Sequence, residues 1–260
     1  MKTSTKTLLW IAAVSAVIVG GLFVAFNYDS ISASVSVKRE KTKFRKQHSQ
    51  IQVETTEIDC FHNIILMDQS GSMTSLKETA LDGAQEVINS IQMAQDTIKN
   101  AGQKLTLAFF DGANELHLKY VVNNEHIGDA KADLRQYSPD GNTPLYDAIG
   151  TVIMNHLPKV GPHDYVMMTI ITDGLENASK KYRASDIKAM VDSLSAKDWA
   201  FTYIGANQDA ILEGGRMGIR DSYNYDNTHS GYRKMIGAEN YRRNTQISRI
   251  TRDRGHRSGN

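Results

Sequence analysis

The sequence predicts an α/β fold, a doubly wound and mostly parallel sheet with helices on both faces, preceded by one transmembrane helix. Three observations lead there. Short apolar runs recur from residue 61 onward, longer amphipathic segments separate them, and one uncharged apolar stretch stands apart near the N-terminus. With 40% hydrophobic and 23% charged residues, the composition is that of a globular chain with a sizeable core.

Residues 1–7 form a short flank holding Lys2 and Lys6. Residues 8–26 are 19 uncharged, mostly apolar residues, close to the roughly 20 a helix needs to cross the hydrocarbon core. The run exceeds the h-region of about 7–15 residues usual in a cleaved signal. An uncleaved signal anchor is therefore expected, with a cleaved secretory signal as the competing reading. The membrane becomes one expected partner, contacted through residues 8–26. The expected location is a single-pass membrane protein with its domain on the extracytoplasmic side. Lys38, Arg39, Lys41, Lys43, Arg45 and Lys46 argue against that orientation, but 27–37 contains no basic residue and long domains translocate largely regardless of charge. Residues 27–58, rich in serine and then in basic residues, read as a linker.

The domain itself is expected over 59–222. Strands are predicted at 63–67, 105–110, 116–122, 165–172 and 201–204, several of them nearly unbroken apolar runs of the kind covered on both faces. The strand at 116–122 follows its predecessor closely and is expected as an antiparallel edge partner. Helices are predicted at 76–99, where Leu81, Ala84, Val87, Ile88, Ile91 and Ile98 share one face, at 145–156 and at 187–194. Residues 223–260 form a basic, partly helical tail. It contains Arg233, Lys234, Arg242, Arg243, Arg249, Arg252, Arg254 and Arg257 against Glu239 and Asp253. A solvated helix with a frayed end is the expectation, and contact with an anionic surface the alternative.

Chemistry concentrates in three segments. Ile64-Ile65-Leu66-Met67 runs into Asp68-Gln69-Ser70-Gly71-Ser72, so an apolar strand ends in a turn with three oxygen side chains. In open α/β sheets ligands collect at such carboxyl ends, and carboxylates with neutral hydroxyls suit a hard cation such as magnesium. The second segment, Ser138-Pro139-Asp140-Gly141-Asn142-Thr143-Pro144-Leu145, enters a helix. The third, Ile170-Ile171-Thr172-Asp173-Gly174, leaves another buried strand. A lone Asp-x-Ser-x-Ser would equally serve as a helix cap; the three segments together favour a metal.

Together they resemble the metal-ion-dependent adhesion site of von Willebrand factor type A (vWA) domains, where an Asp-x-Ser-x-Ser turn, a later threonine and a later aspartate coordinate one cation. The resemblance spans residues 61–219 and extends to bacterial and phage vWA proteins. It implies that Asp68, Ser70, Ser72, Thr143 and Asp173 hold Mg2+, with Mn2+ or Ca2+ as alternatives, and that Asp173 acts directly or through water. It further implies a protein ligand whose Asp or Glu completes the coordination sphere. The expected function is a membrane-anchored, divalent-cation-dependent adhesion module. The alternative is an intracellular vWA subunit of a multiprotein assembly or chaperone-like machine.

Other readings are weaker. There is no nucleophile elbow, no Gly-x-x-x-x-Gly-Lys and no His pair at metal-ligand spacing, so an enzyme is not expected and a metal-assisted hydrolase is the remote alternative. The net charge of +1 provides no field favouring nucleic acid. Cys60, the single cysteine, excludes an internal disulfide and reads as a buried thiol. Asp147 reads as a cap or neighbour of the site, Asn177-Ala178-Ser179 as a sequon relevant only in a eukaryotic secretory setting, and Asn207 and Asp209 as second-tier rim candidates.

Overall fold

In the computed structural model, the described residues are 58–98, 101–173, 175–206, 210–225 and 228–257. Six strands form one sheet: β1 (Cys60–Asp68), β2 (Gly102–Gly112), β3 (Leu116–His126), β4 (Tyr165–Thr172), β5 (Trp199–Ala206) and β6 (Asp221–Tyr225). Their order is β3-β2-β1-β4-β5-β6. All neighbours pair in parallel except β2 and β3, joined as an antiparallel hairpin at the edge. Parallel strands require crossovers, and helices supply them. These are α1 (Lys77–Thr97), α2 (Leu145–His156), α3 (Ala184–Ser195) and α4 (Ala210–Arg216), followed by a closing helix α5 (His229–Arg257).

β1 is central and buried along its whole length. Its side chains alternate between two cores. Ile65 and Met67 pack with Ala84, Val87 and Ile91 of α1 and with Ile236 of α5. Ile64 and Leu66 pack on the opposite face with Ala148, Ile149 and Val152 of α2 and with Ile187 and Val191 of α3. Each such aliphatic side chain contributes about 1.5–3 kcal/mol on burial, which accounts for the unbroken apolar runs in β1 and β4.

Two elements depart from expectation. β6 is not anticipated, because Asp-Ser-Tyr-Asn-Tyr is a polar edge strand with mostly half-buried or exposed residues. The basic segment was expected as a solvated helix, yet α5 docks on the sheet. Arg243 is 2% exposed and donates to Asn63 Oδ1 of β1 at 2.8 Å and to Thr169 Oγ1 of β4 at 2.7 Å. Glu239 lies 3.6 Å from the same guanidinium, and Ile247 joins Phe61 and Met167 in a third apolar cluster. The docking face is short-range and partly polar, so it is hidden within a helix whose overall composition is basic.

The expected anchor at 8–26, most of the linker, Asn207 and Asp209 lie outside the described residues. Among the described residues, no helix is long and apolar enough to cross a membrane.

Candidate metal centre

Asp68 closes β1 at 0% exposure, and both its oxygens are engaged. Oδ1 accepts from Ser70 N at 2.7 Å and Oδ2 from Thr172 Oγ1, at the end of β4, at 2.5 Å. The Asp68 carbonyl accepts from Tyr137 OH at 2.6 Å, which fixes the strand end. Ser70 is buried, and its Oγ lies 3.1 Å from Ser72 Oγ. Ser72 Oγ is exposed and donates to Asp173 Oδ1 at 2.7 Å. A continuous row, Thr172–Asp68–Ser70–Ser72–Asp173, thus rises from the floor of the sheet to solvent.

The second segment is stitched to this turn through its backbone. Asp140 N donates to Gln69 O at 2.8 Å, Gly71 N to Gly141 O at 3.0 Å, and Asn142 N to Gly112 O at 2.6 Å. Gly141 is essential to the path: its φ is +74°, and a Cβ there would stand 2.8 Å from Gly112 O. Thr143, 2% exposed, lies two residues further on. Its N donates to Asn177 Oδ1 at 2.8 Å and its carbonyl accepts from Asn177 N at 3.2 Å. Four of the five expected residues, Asp68, Ser70, Ser72 and Asp173, are therefore linked by hydrogen bonds, and Thr143 sits in a loop clamped to their turn.

Of the groups that position the site, the sequence reading names only Asp147 as a neighbour. Thr172 and Tyr137 look like core residues, and only the fold brings them to Asp68. Asn177, noted as a sequon, holds Thr143. Asp147 is only 6% exposed and accepts from the backbone N of Lys180, Lys181 and Tyr182, ordering the loop beyond β4. Glu176 accepts from Tyr146 N at 3.0 Å and from Ser179 N at 2.6 Å. Acids tied down by distant backbone N–H groups are invisible to motif spacing.

Burial dominates the electrostatics. It pushes the Asp68 carboxyl up to about 6, partly offset by the hydrogen bonds from Thr172 and Ser70, and it raises Asp173 as well. Two acids held at a desolvated edge with three hydroxyls form an all-oxygen donor set, and a divalent cation would restore the stability of both charged forms. The residues fit a hard cation. A cleft of about 310 Å³, lined by Gln69, Asp111, His117, Ser138 and Asp140, adjoins this edge.

Strand order and crossovers define the class: this chain has the vWA fold, and the oxygen-lined turn stands at the carboxyl edge of its sheet. No family model and no curated protein matches the sequence. Among solved structures, it is similar to proximal thread matrix protein 1 from the mussel byssus with a zinc-occupied MIDAS motif. The TM-score is 0.53 at 16% identity, over 70% of this chain and 48% of that one. It is also similar to the pilus adhesin SpaC from Lactobacillus rhamnosus GG, with a TM-score of 0.52 at 11% identity, over 71% of this chain and 30% of that one. The chain spans about half the length of the mussel protein chains it matches.

Proposed function

We propose that this protein is a membrane-anchored binding module that engages a protein partner through a divalent cation, Mg2+ first among the candidates, and that it is not an enzyme. The observation that carries the proposal is the graded row from buried Asp68 to exposed Ser72 and Asp173, with Thr143 clamped beside it. Asp68, Ser70, Ser72, Thr143 and Asp173 would hold the ion. When bound, the ion supplies a Lewis-acidic position that an acidic side chain of a partner can occupy.

The chain's own residues do the rest. Thr172 and Tyr137 hold Asp68 at the strand end, Gly141 lets the 138–143 loop close over the turn, and Asn177 keeps Thr143 at its rim. The adjoining cleft leaves room for partner side chains next to the acid. That the mussel protein has a MIDAS motif occupied by zinc and that SpaC is a pilus adhesin is consistent with this reading. The apolar stretch at 8–26 motivates the anchor and an extracytoplasmic domain.

The test is partner capture from cell extract with and without chelator, using the wild-type chain and Asp68→Ala. Capture that chelator abolishes and added Mg2+ restores, and that Asp68→Ala lacks, is the expected result. Capture indifferent to both rules the reading out. Protease added outside intact cells tests the topology, since an extracytoplasmic domain is cleaved and an intracellular subunit is spared.

A further inference from the structure

The opposite end of the sheet holds a cluster that the carboxyl-edge chemistry does not use. Cys60 and His62 stand two residues apart at the start of β1, so they project from the same face. The turn before β4 brings Asp164 onto them. His62 Nε2 lies 2.9 Å from Asp164 Oδ2, and one ligand-capable atom from each of Cys60, His62 and Asp164 falls within 4.8 Å of the other two. Behind them His156, the last residue of α2, sets its Nε2 3.0 Å from His62 Nδ1. Trp199 packs edge-on against the His156 ring. Cys60, His62 and His156 are buried and Asp164 is half-buried.

A hydrogen-bonded strut of two neutral rings and a carboxylate explains part of this arrangement. His156 Nε2–H donates to His62 Nδ1, His62 Nε2–H donates to Asp164, and Asp164 Oδ2 also accepts from Gly161 N at 2.7 Å. The strut does not require a thiol at its open side. Cys60 Sγ makes a long 3.7 Å contact to Phe61 O while lying within reach of both His62 and Asp164.

We propose that Cys60, His62 and Asp164 form a second metal site, taking a borderline-soft transition ion such as Zn2+ with water in the fourth position. Sulfur, nitrogen and carboxylate donors are the set that zinc accepts, whereas magnesium and calcium select oxygen. At zinc–ligand distances of about 2.0–2.2 Å, tetrahedral geometry separates N and O by about 3.4 Å, so Asp164 needs to withdraw by roughly half an ångström. His156 is already the outer partner that a ligating histidine requires. On binding, the His62 proton shifts from Nε2 to Nδ1 and is donated to His156, whose own proton moves to Nδ1. The Cys60 proton leaves to solvent, one per ion. Asp68 lies eight residues further along β1, about 26 Å away, so the two sites are independent in place as well as in donor type.

Co2+ titration of the full-length protein tests this. A thiolate-to-cobalt charge-transfer absorption should grow in the near ultraviolet and saturate at one equivalent. Cys60 is the only cysteine in the chain, so no other residue can produce it. Zn2+ should bleach the band, excess Mg2+ should leave it unchanged, and Cys60→Ser should abolish it. His156→Gln keeps all three ligands and should weaken cobalt binding roughly 10–100-fold. Absence of the band in the wild-type protein overturns the proposal regardless of how the variants fold. A band that survives unchanged in Asp164→Asn overturns it as well.

Discussion

At its carboxyl end β1 holds Asp68, whose oxygens accept from Ser70 N and Thr172 Oγ1; at its amino end it holds His62, whose nitrogens meet His156 and Asp164. Both residues are almost fully buried, and burial moves the ionisable groups at each end towards neutrality. Asp68 is pushed up to about 6, His156 is pushed down to about 3, and His62 falls below its ordinary value. The difference lies in what surrounds them. The carboxyl end continues through Ser70 to exposed Ser72 and half-buried Asp173, a path of oxygens open to solvent. The amino end is closed by His156 and Trp199, and hydrogen bonds to one another and to Asp164 satisfy its neutral rings. One strand thus presents a hard, solvent-facing donor set at one end and a soft, enclosed one at the other.

The largest expected effect comes from the feature that spans both ends. Arg243→Ala strips a buried guanidinium from Asn63, Thr169 and Glu239 and should cost about 3–5 kcal/mol of global stability in urea unfolding. Because α5 crosses β1 and β4 between the two clusters, both ends should loosen together. A cost below about 1 kcal/mol would mean that α5 is an accessory to the domain.

Next in size is the acid response of the amino end. Burial lowers the His156 pKa from 6.5 to about 3, assisted by the neighbouring His62, Lys159 and Lys104, while the Asp164 carboxylate faces His62. A base with a lowered folded pKa contributes stability that is present above about pH 6.5 and lost as pH falls towards 3. Asp68 runs oppositely: its raised pKa favours the fold at low pH, and that contribution is lost as pH rises through about 6. The comparison of wild type with His156→Gln in chelator isolates the histidine. The variant should lose on the order of 3 kcal/mol less stability between pH 7 and 4. Parallel pH curves would show that His156 is accessible to protons in the folded state.

Smaller, and confined to the carboxyl end, is Gly141→Ala. A φ of +74° and the approach to Gly112 O disfavour any Cβ there, so about 1–2 kcal/mol of stability should be lost along with cation affinity. Cobalt absorption at the amino end should not change. If it does, the two ends communicate.

How much of this was legible depends on where the signal lies in the chain. β1 and β4 announce themselves because both faces are covered, and their apolar runs end directly in Asp-x-Ser-x-Ser and Thr-Asp-Gly. The Thr143 loop was readable because proline and glycine punctuate it before a helix. By contrast, β6 is a polar edge with no apolar period, and α5 hides one buried arginine in a segment whose composition is basic. Tyr137, Thr172, Asp147 and Asn177 support the site through contacts 33 or more residues apart in sequence, to Asp68, the 180–182 backbone and Thr143. No local pattern encodes such pairings. The His62–His156 contact, across 94 residues, was missed for the same reason, since the histidines look scattered until the fold joins them.

Calorimetric titration of the metal-free, full-length protein with Mg2+ tests the central claim most directly, run in parallel on Asp68→Ala. A saturable one-ion isotherm in the wild type, absent from a variant that still unfolds cooperatively, is the expected result. No binding at millimolar Mg2+, or equal binding by Asp68→Ala, would contradict a cation site at the carboxyl end of β1.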